Sequence, residues 1–101
     1  MRAKPYLLSP KAVSDLEDIW LYTRKTWSRD QADRYHRSIM AVVGDLTTGR
    51  RLGRPVTERE GYLKCAVGSH MIYFRDRGER VEIMRVLHQR QDVDQGMAGE
   101  V

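Results

Sequence analysis

Along Met84-Arg85-Val86-Leu87-His88-Gln89-Arg90-Gln91-Asp92 an apolar run gives way to two guanidiniums, an imidazole and several polar side chains. A guanidinium offers a bidentate fork to carboxylate or phosphate, and an imidazole changes charge near neutral pH. A strand that ends in this set makes a place for an anion, a carboxylate or RNA. Cleavage of RNA through its 2′-hydroxyl needs a base, an acid and cations on the phosphate. His88 is the candidate acid or base, Arg85 and Arg90 the candidate phosphate holders, and Lys64 a candidate assistant. A lone histidine at a strand end also serves as a structural cap. His36, His70 and His88 show no metal-ligand spacing, so neither a metal nor a cofactor is expected.

The charge is unevenly laid out. The chain has 101 residues and a formal net charge of +4, and residues 50 to 90 hold ten basic against five acidic side chains. Arginine outnumbers lysine fourteen to four, which favours anionic partners because the planar fork suits carboxylate and phosphate. Arg50, Arg51, Arg54 and Arg59 form one loop cluster, and Arg75, Arg77 and Arg80 flank a turn. Cys65 stands alone, so no intrachain disulfide is possible and a reducing compartment fits. No apolar segment is long enough to span a bilayer or to serve as a secretory signal, and a cytoplasmic protein without membrane contact is expected.

The elements that must position this strand end are legible from periodicity. Pro5 to Ser9 offers a short apolar strand, and Ser9-Pro10 supplies an N-cap followed by proline at the first helical position. Ala12, Val13, Leu16, Ile19, Trp20, Thr23 and Trp27 then fall on one side of a helix, with both tryptophans expected in its packing. Ser28-Arg29-Asp30 breaks the pattern, and Ala32, Tyr35, Ile39, Val42, Val43 and Leu46 repeat helically until Thr47-Thr48-Gly49. So short a connection makes the two helices an antiparallel hairpin.

After the loop Arg50 to Glu60, Leu63, Cys65 and Val67 alternate with Tyr62, Lys64 and Ala66 as a strand. Gly68-Ser69 turns it into Met71 to Phe74, and Asp76 to Glu79 leads to a last strand, Arg80 to Leu87. Simple alternation sends Val81, Ile83 and Leu87 to one face and Met84 and Val86 to the other. A strand apolar on both faces needs either a partner on the second face or a bulge that switches its alternation. The fold class is α+β: an N-terminal strand, then an antiparallel helix hairpin packed on a mostly antiparallel sheet completed by a C-terminal three-stranded meander. Residues 1–101 form a single domain, with 91–101 expected to be a flexible or partner-ordered tail.

This order of elements resembles the ParE toxins of the RelE/ParE superfamily of bacterial type II toxin-antitoxin modules. The resemblance rests on Ser9-Pro10, Ala12, Asp15-Leu16, Ile19-Trp20 and Tyr22-Thr23, with Ala32 and Tyr35 following. Leu52-Gly53-Arg54, Gly68-Ser69-His70, Ile72-Tyr73-Phe74-Arg75, Ile83, Arg85 to Arg90 and Asp92 complete it. It implies a toxin neutralised by a ParD-like antitoxin in a hetero-oligomeric complex. It further implies that the free toxin inhibits DNA gyrase through protein contacts rather than turnover, reaching operator DNA only through the antitoxin. Arg54, Arg75, Arg85, His88 and Arg90 are the residues expected to meet antitoxin or target, with charge reversal at Arg85 leaving folding intact.

RelE-like relatives are ribosome-dependent mRNA endonucleases, and His88, Arg85, Arg90 and Lys64 are the set that activity would use here. The aromatic acid that many such nucleases place near this strand end is missing, since no tyrosine follows Tyr73. A small nucleic-acid-binding module is the third class. It lacks an aromatic platform, because Tyr73 and Phe74 alternate onto opposite faces of their strand.

Overall fold

The capping chemistry at Ser9 sets the first helix as expected. In the computed structural model, which describes residues 3–91, strand β1 (Tyr6–Leu8) runs directly into helix α1 (Pro10–Thr26). The Ser9 hydroxyl accepts from the Ala12 N–H at 3.0 Å. Helix α2 (Arg29–Thr48) follows, capped by Ser28 through a 3.0 Å bond from the Gln31 N–H, and closes on Gly49 at φ 81°. Only a residue without a Cβ takes that left-handed position at no steric cost. Trp20 Nε1 donates to Asp33 at 2.8 Å and fastens the hairpin.

The remaining strands are β2 (Arg54–Pro55), β3 (Leu63–Val67), β4 (His70–Asp76) and β5 (Val81–His88). They form a five-stranded sheet in the order β1-β5-β4-β3-β2. β1 runs parallel to β5 and every other pairing is antiparallel. The meander is therefore present, and the short edge strand β2 extends it from within the loop. Pro55 is tolerated there because an edge strand need not donate on both sides.

One face of the sheet packs on the hairpin. Ala12, Leu16, Ile39, Val43, Cys65, Ile72, Phe74 and Ile83 form the centre of that core. Two expectations fail at its margins. Trp27 is 74% exposed, because it is the C-cap with φ −121° and ψ −85° and no longer follows the helical wheel. Val13, at 40%, lies on the rim rather than in the core.

The alternation along β5 is also broken. Tyr73 pairs with Arg85 and Phe74 with Ile83, so Met84 is an extra residue, a β-bulge. Val81, Ile83 and Val86 consequently share the helix face, whereas Leu87 is buried on the other side, where Met84 also packs. Simple alternation had placed Leu87 with Val81 and Ile83, and Val86 against them. The second face is closed by the chain itself: Val56 and Tyr62 from the loop pack on Tyr73 and Leu87. That loop is held by Val56 N–H to the Tyr62 carbonyl at 2.9 Å.

Two side chains of α1 secure the bulge. The Ser9 hydroxyl donates to the Met84 carbonyl at 2.7 Å, and Asp15 Oδ2 accepts from the Val86 N–H at 2.9 Å. Arg85 then clasps the same carboxylate through Nε at 2.7 Å and a terminal nitrogen at 2.8 Å, with both side chains largely buried. Arg85 is thus part of the scaffold, and charge reversal there would break a buried pair rather than leave folding intact.

Close packing limits substitution elsewhere. A Cβ on Gly53 would lie 2.5 Å from Phe74 Cζ and 3.0 Å from Leu63 Cβ. Gly53→Ala should lower stability by about 1–3 kcal/mol through overpacking, seen as a lower urea midpoint at unchanged slope. An unaltered midpoint would show that Phe74 moves aside freely.

Candidate functional site

The end of β5 folds back onto the β3–β4 turn. Gln89 N–H donates to the Ser69 carbonyl at 2.9 Å, and the Gln89 side-chain amide donates to the Gly68 carbonyl at 2.8 Å. His88 is exposed and Arg90 follows in a turn whose N–H donates to His88 Nδ1 at 3.1 Å. Asp92 and the rest of the expected tail, 92–101, lie outside the described residues.

The expected nuclease set is not brought together. His88 ends β5 and meets His70, which lies on the helix side of the sheet through its bond to Tyr35 of α2. Lys64 alternates with the core residues Leu63 and Cys65 and so belongs to the opposite face, level with Tyr73. Arg85 is clasped by Asp15. Of the other arginines expected to bind, Arg75 stacks over the Tyr62 ring at 5.2 Å, and Arg54 is exposed on the β2 edge. Among the described residues no three His, Cys, Asp or Glu side chains gather as metal ligands.

A different cluster appears at the same end of the sheet. A cleft of about 610 Å³ opens between the helix hairpin and the ends of β4 and β5, with Tyr22, Trp27, Tyr35, His70 and His88 among its walls. The Tyr35 hydroxyl sits 2.6 Å from His70 Nδ1 and accepts from the Ser69 N–H at 3.0 Å. His70 and His88 are register partners across the two strands, with rings 5.4 Å apart and edge to face. Burial lowers the His70 pKa from its ordinary value, and the neighbouring His88 lowers it further against an opposing pull from Asp15. Burial likewise raises the Tyr35 pKa, opposed by its hydrogen bonding with Ser69.

Sequence reasoning passed over Tyr35, His70 and the aromatic walls of the cleft. Tyr35 carried helical spacing and looked like ordinary core, and His70 stood out only as part of the Gly68-Ser69-His70 motif of the resemblance, with no role attached to it. Gly68 held the available clue. It adopts φ 55°, and a Cβ there would lie 2.6 Å from the Tyr35 ring and hydroxyl, so the turn and the tyrosine are matched to each other.

Comparison with known proteins agrees with this architecture. A family model described as the ParE toxin of the type II toxin-antitoxin system parDE matches residues 6–93. Toxin ParE1 of Mycobacterium tuberculosis is 43% identical over 91% of this chain and 96% of its own length. Toxin ParE1 of Caulobacter vibrioides is 45% identical over 85% and 90%. Among solved structures, a chain from the chromosomal ParDE system of P. aeruginosa superposes with a TM-score of 0.75 at 21% identity, covering 85% of this chain and 96% of that one.

The depressed His70 pKa makes stability depend on pH. Above 6.5 the ring is neutral in the folded and unfolded chains alike and the full stability is present. As pH falls below 6.5 the unfolded chain takes up the proton first, so stability should decline until the folded ring also protonates. Thermal unfolding across this range should show the decline, and His70→Gln should flatten it. An equal slope in the variant would assign the effect to other groups. Gly68→Ala, strained at positive φ and pressed on Tyr35, should cost about 1–3 kcal/mol and disturb the His70 imidazole resonances.

Proposed function

Because the chain belongs to the ParE toxin family of type II toxin-antitoxin systems, we propose that a ParD-like antitoxin holds it inactive and that the free toxin inhibits DNA gyrase by protein contacts. The observation that carries this reading is the outer surface of α1. Leu21 is 53% exposed, Tyr22 68% and Trp27 74%, on a chain in which 32% of residues are charged. Aromatic residues left in water beside polar neighbours are the usual anchors of a protein interface. A second shallow groove on the same helix, lined by Leu8, Val13, Leu16 and Trp20, offers further apolar area. β1, at the margin of the sheet, also leaves Leu7 exposed.

The basic balance supports an acidic antitoxin. Residues 50 to 90 hold the excess of positive charge, which steers an acidic, partly disordered segment toward the toxin before contacts form. Arg54, Arg75, His88 and Arg90 remain the polar residues proposed to meet antitoxin or target. Arg85 acts through the fold by fixing where β5 ends. The proposed site of action is the cytoplasm, where gyrase is found, and among the described residues no helix is long and apolar enough to cross a membrane.

Protein contact is favoured over RNA cleavage because His88 and Lys64 lie on different faces and Arg85 is engaged by Asp15. Inducible expression without antitoxin, with DNA supercoiling and transcript integrity read from the same cells, tests the choice. DNA breaks and lost supercoiling with intact transcripts are the expected result. Cleaved transcripts with unaffected supercoiling would overturn it. Trp27→Asp should fold normally and lose about tenfold or more in antitoxin affinity, as expected for a central aromatic anchor; unchanged affinity would remove the α1 surface from that interface.

A further inference from the structure

His70 and His88 each have Nδ1 occupied from within the fold. The Tyr35 hydroxyl has one proton and two acceptors in reach, His70 Nδ1 at 2.6 Å and the Val67 carbonyl at 3.3 Å. At 2.6 Å the contact with His70 has the length of a bond from a hydroxyl donor and is short for one from a ring N–H, so the hydroxyl proton is assigned to Nδ1 rather than to the Val67 carbonyl. His88 Nδ1 accepts from the Arg90 N–H. A neutral imidazole has a single N–H, so a ring whose Nδ1 accepts carries its proton on Nε2. Burial disfavours the protonated form of His70. With that assignment both rings hold the same tautomer, both line the cleft, and neither Nε2 has a hydrogen-bond partner among the described residues. Tyr22 and Trp27 stand among its walls as exposed aromatic surface, with Asp18 and Gln31 as further polar walls.

We propose that this cleft receives the carboxylate of an acidic peptide segment on a partner protein, its oxygens taken by the Nε2–H groups of His70 and His88 while Tyr22 and Trp27 cover the neighbouring apolar residue. A carboxylate has two oxygens to offer two donors, and the net charge of +4 attracts the segment that brings it. A phosphate group fits less well, because among the described residues no lysine or arginine lines this cleft and a dianion calls for cations as well as neutral donors. Asp18 opposes the ligand, but it is exposed and its field is screened by salt. The proposal rests on the antitoxin reading only in taking that partner to be acidic. Its test uses small peptides and no toxicity, so either idea can fail while the other stands.

Nitrogen-15 spectra of the histidine side chains in the intact protein provide the readout. Without ligand, both rings should show the Nε2–H tautomer. N-acetyl-glutamyl-leucine amide should then shift both Nε2 resonances, and its glutaminyl analogue should bind about tenfold more weakly, having lost a charge-assisted acceptor. Asp18→Asn should tighten the glutamyl peptide, and His88→Phe, checked for folding by its amide spectrum, should abolish the response. An Nδ1–H tautomer at either ring would overturn the proposal. So would lysyl-leucine amide binding as tightly as the glutamyl peptide, inorganic phosphate binding more tightly, or no probe moving the imidazole resonances.

Discussion

A β-bulge turns backbone groups away from their ladder, and in this protein the first helix answers them. Ser9, already the helix cap, donates to the Met84 carbonyl, and Asp15 accepts from the Val86 N–H while pairing with Arg85. A buried backbone group left without a partner costs about 1–3 kcal/mol. One helix thus neutralises the irregularity in β5, and the irregularity in turn puts Val86 on the helix face and Leu87 on the opposite one. Everything beyond Met84 takes its direction from this junction, including the approach of His88 to His70 and the return of Gln89 onto the β3–β4 turn.

The same junction explains what could be seen in the sequence. Helix caps, the hairpin and the meander depend on local signals such as Ser9-Pro10, Ser28, Gly49 and the alternation at Leu63, Cys65 and Val67, and these were legible. The faces of β5 depend on one extra residue, and nothing local to Met84 announces it; only the helix packed above selects the register. Arg85 looked available because charge at a strand end usually meets solvent. Its partner Asp15 is seventy positions away in the chain and only the topology joins them. Val56 covering the second face was hidden for the same reason, being a loop residue without periodicity, whereas Tyr62, expected in the strand, lies just before β3 and packs beside it.

The unsatisfied surface accordingly moves. An apolar second face of the sheet had looked like the place for a partner, yet the chain seals it, and the exposed aromatics stand on α1 and at its C-terminal end. Tyr22 and Trp27 wall the cleft that also holds the histidine pair. Apolar anchors and directional donors therefore sit together, and the arginines form a diffuse field around them. Such a division is what the proposed binding mode calls for, in which charge brings a partner near and a small aromatic and imidazole cluster selects it.

Arg85 belongs to the scaffold through its clasp with Asp15. Urea unfolding of Asp15→Leu, Arg85→Met and the double variant tests it most directly. Each single change should lower stability by about 3–5 kcal/mol by stranding a buried charge, and the apolar pair together should recover that part while the unpaired Val86 N–H still costs about 1–3 kcal/mol. An Arg85→Met protein that unfolds at the unmodified midpoint would contradict the account and return Arg85 to the surface that partners meet.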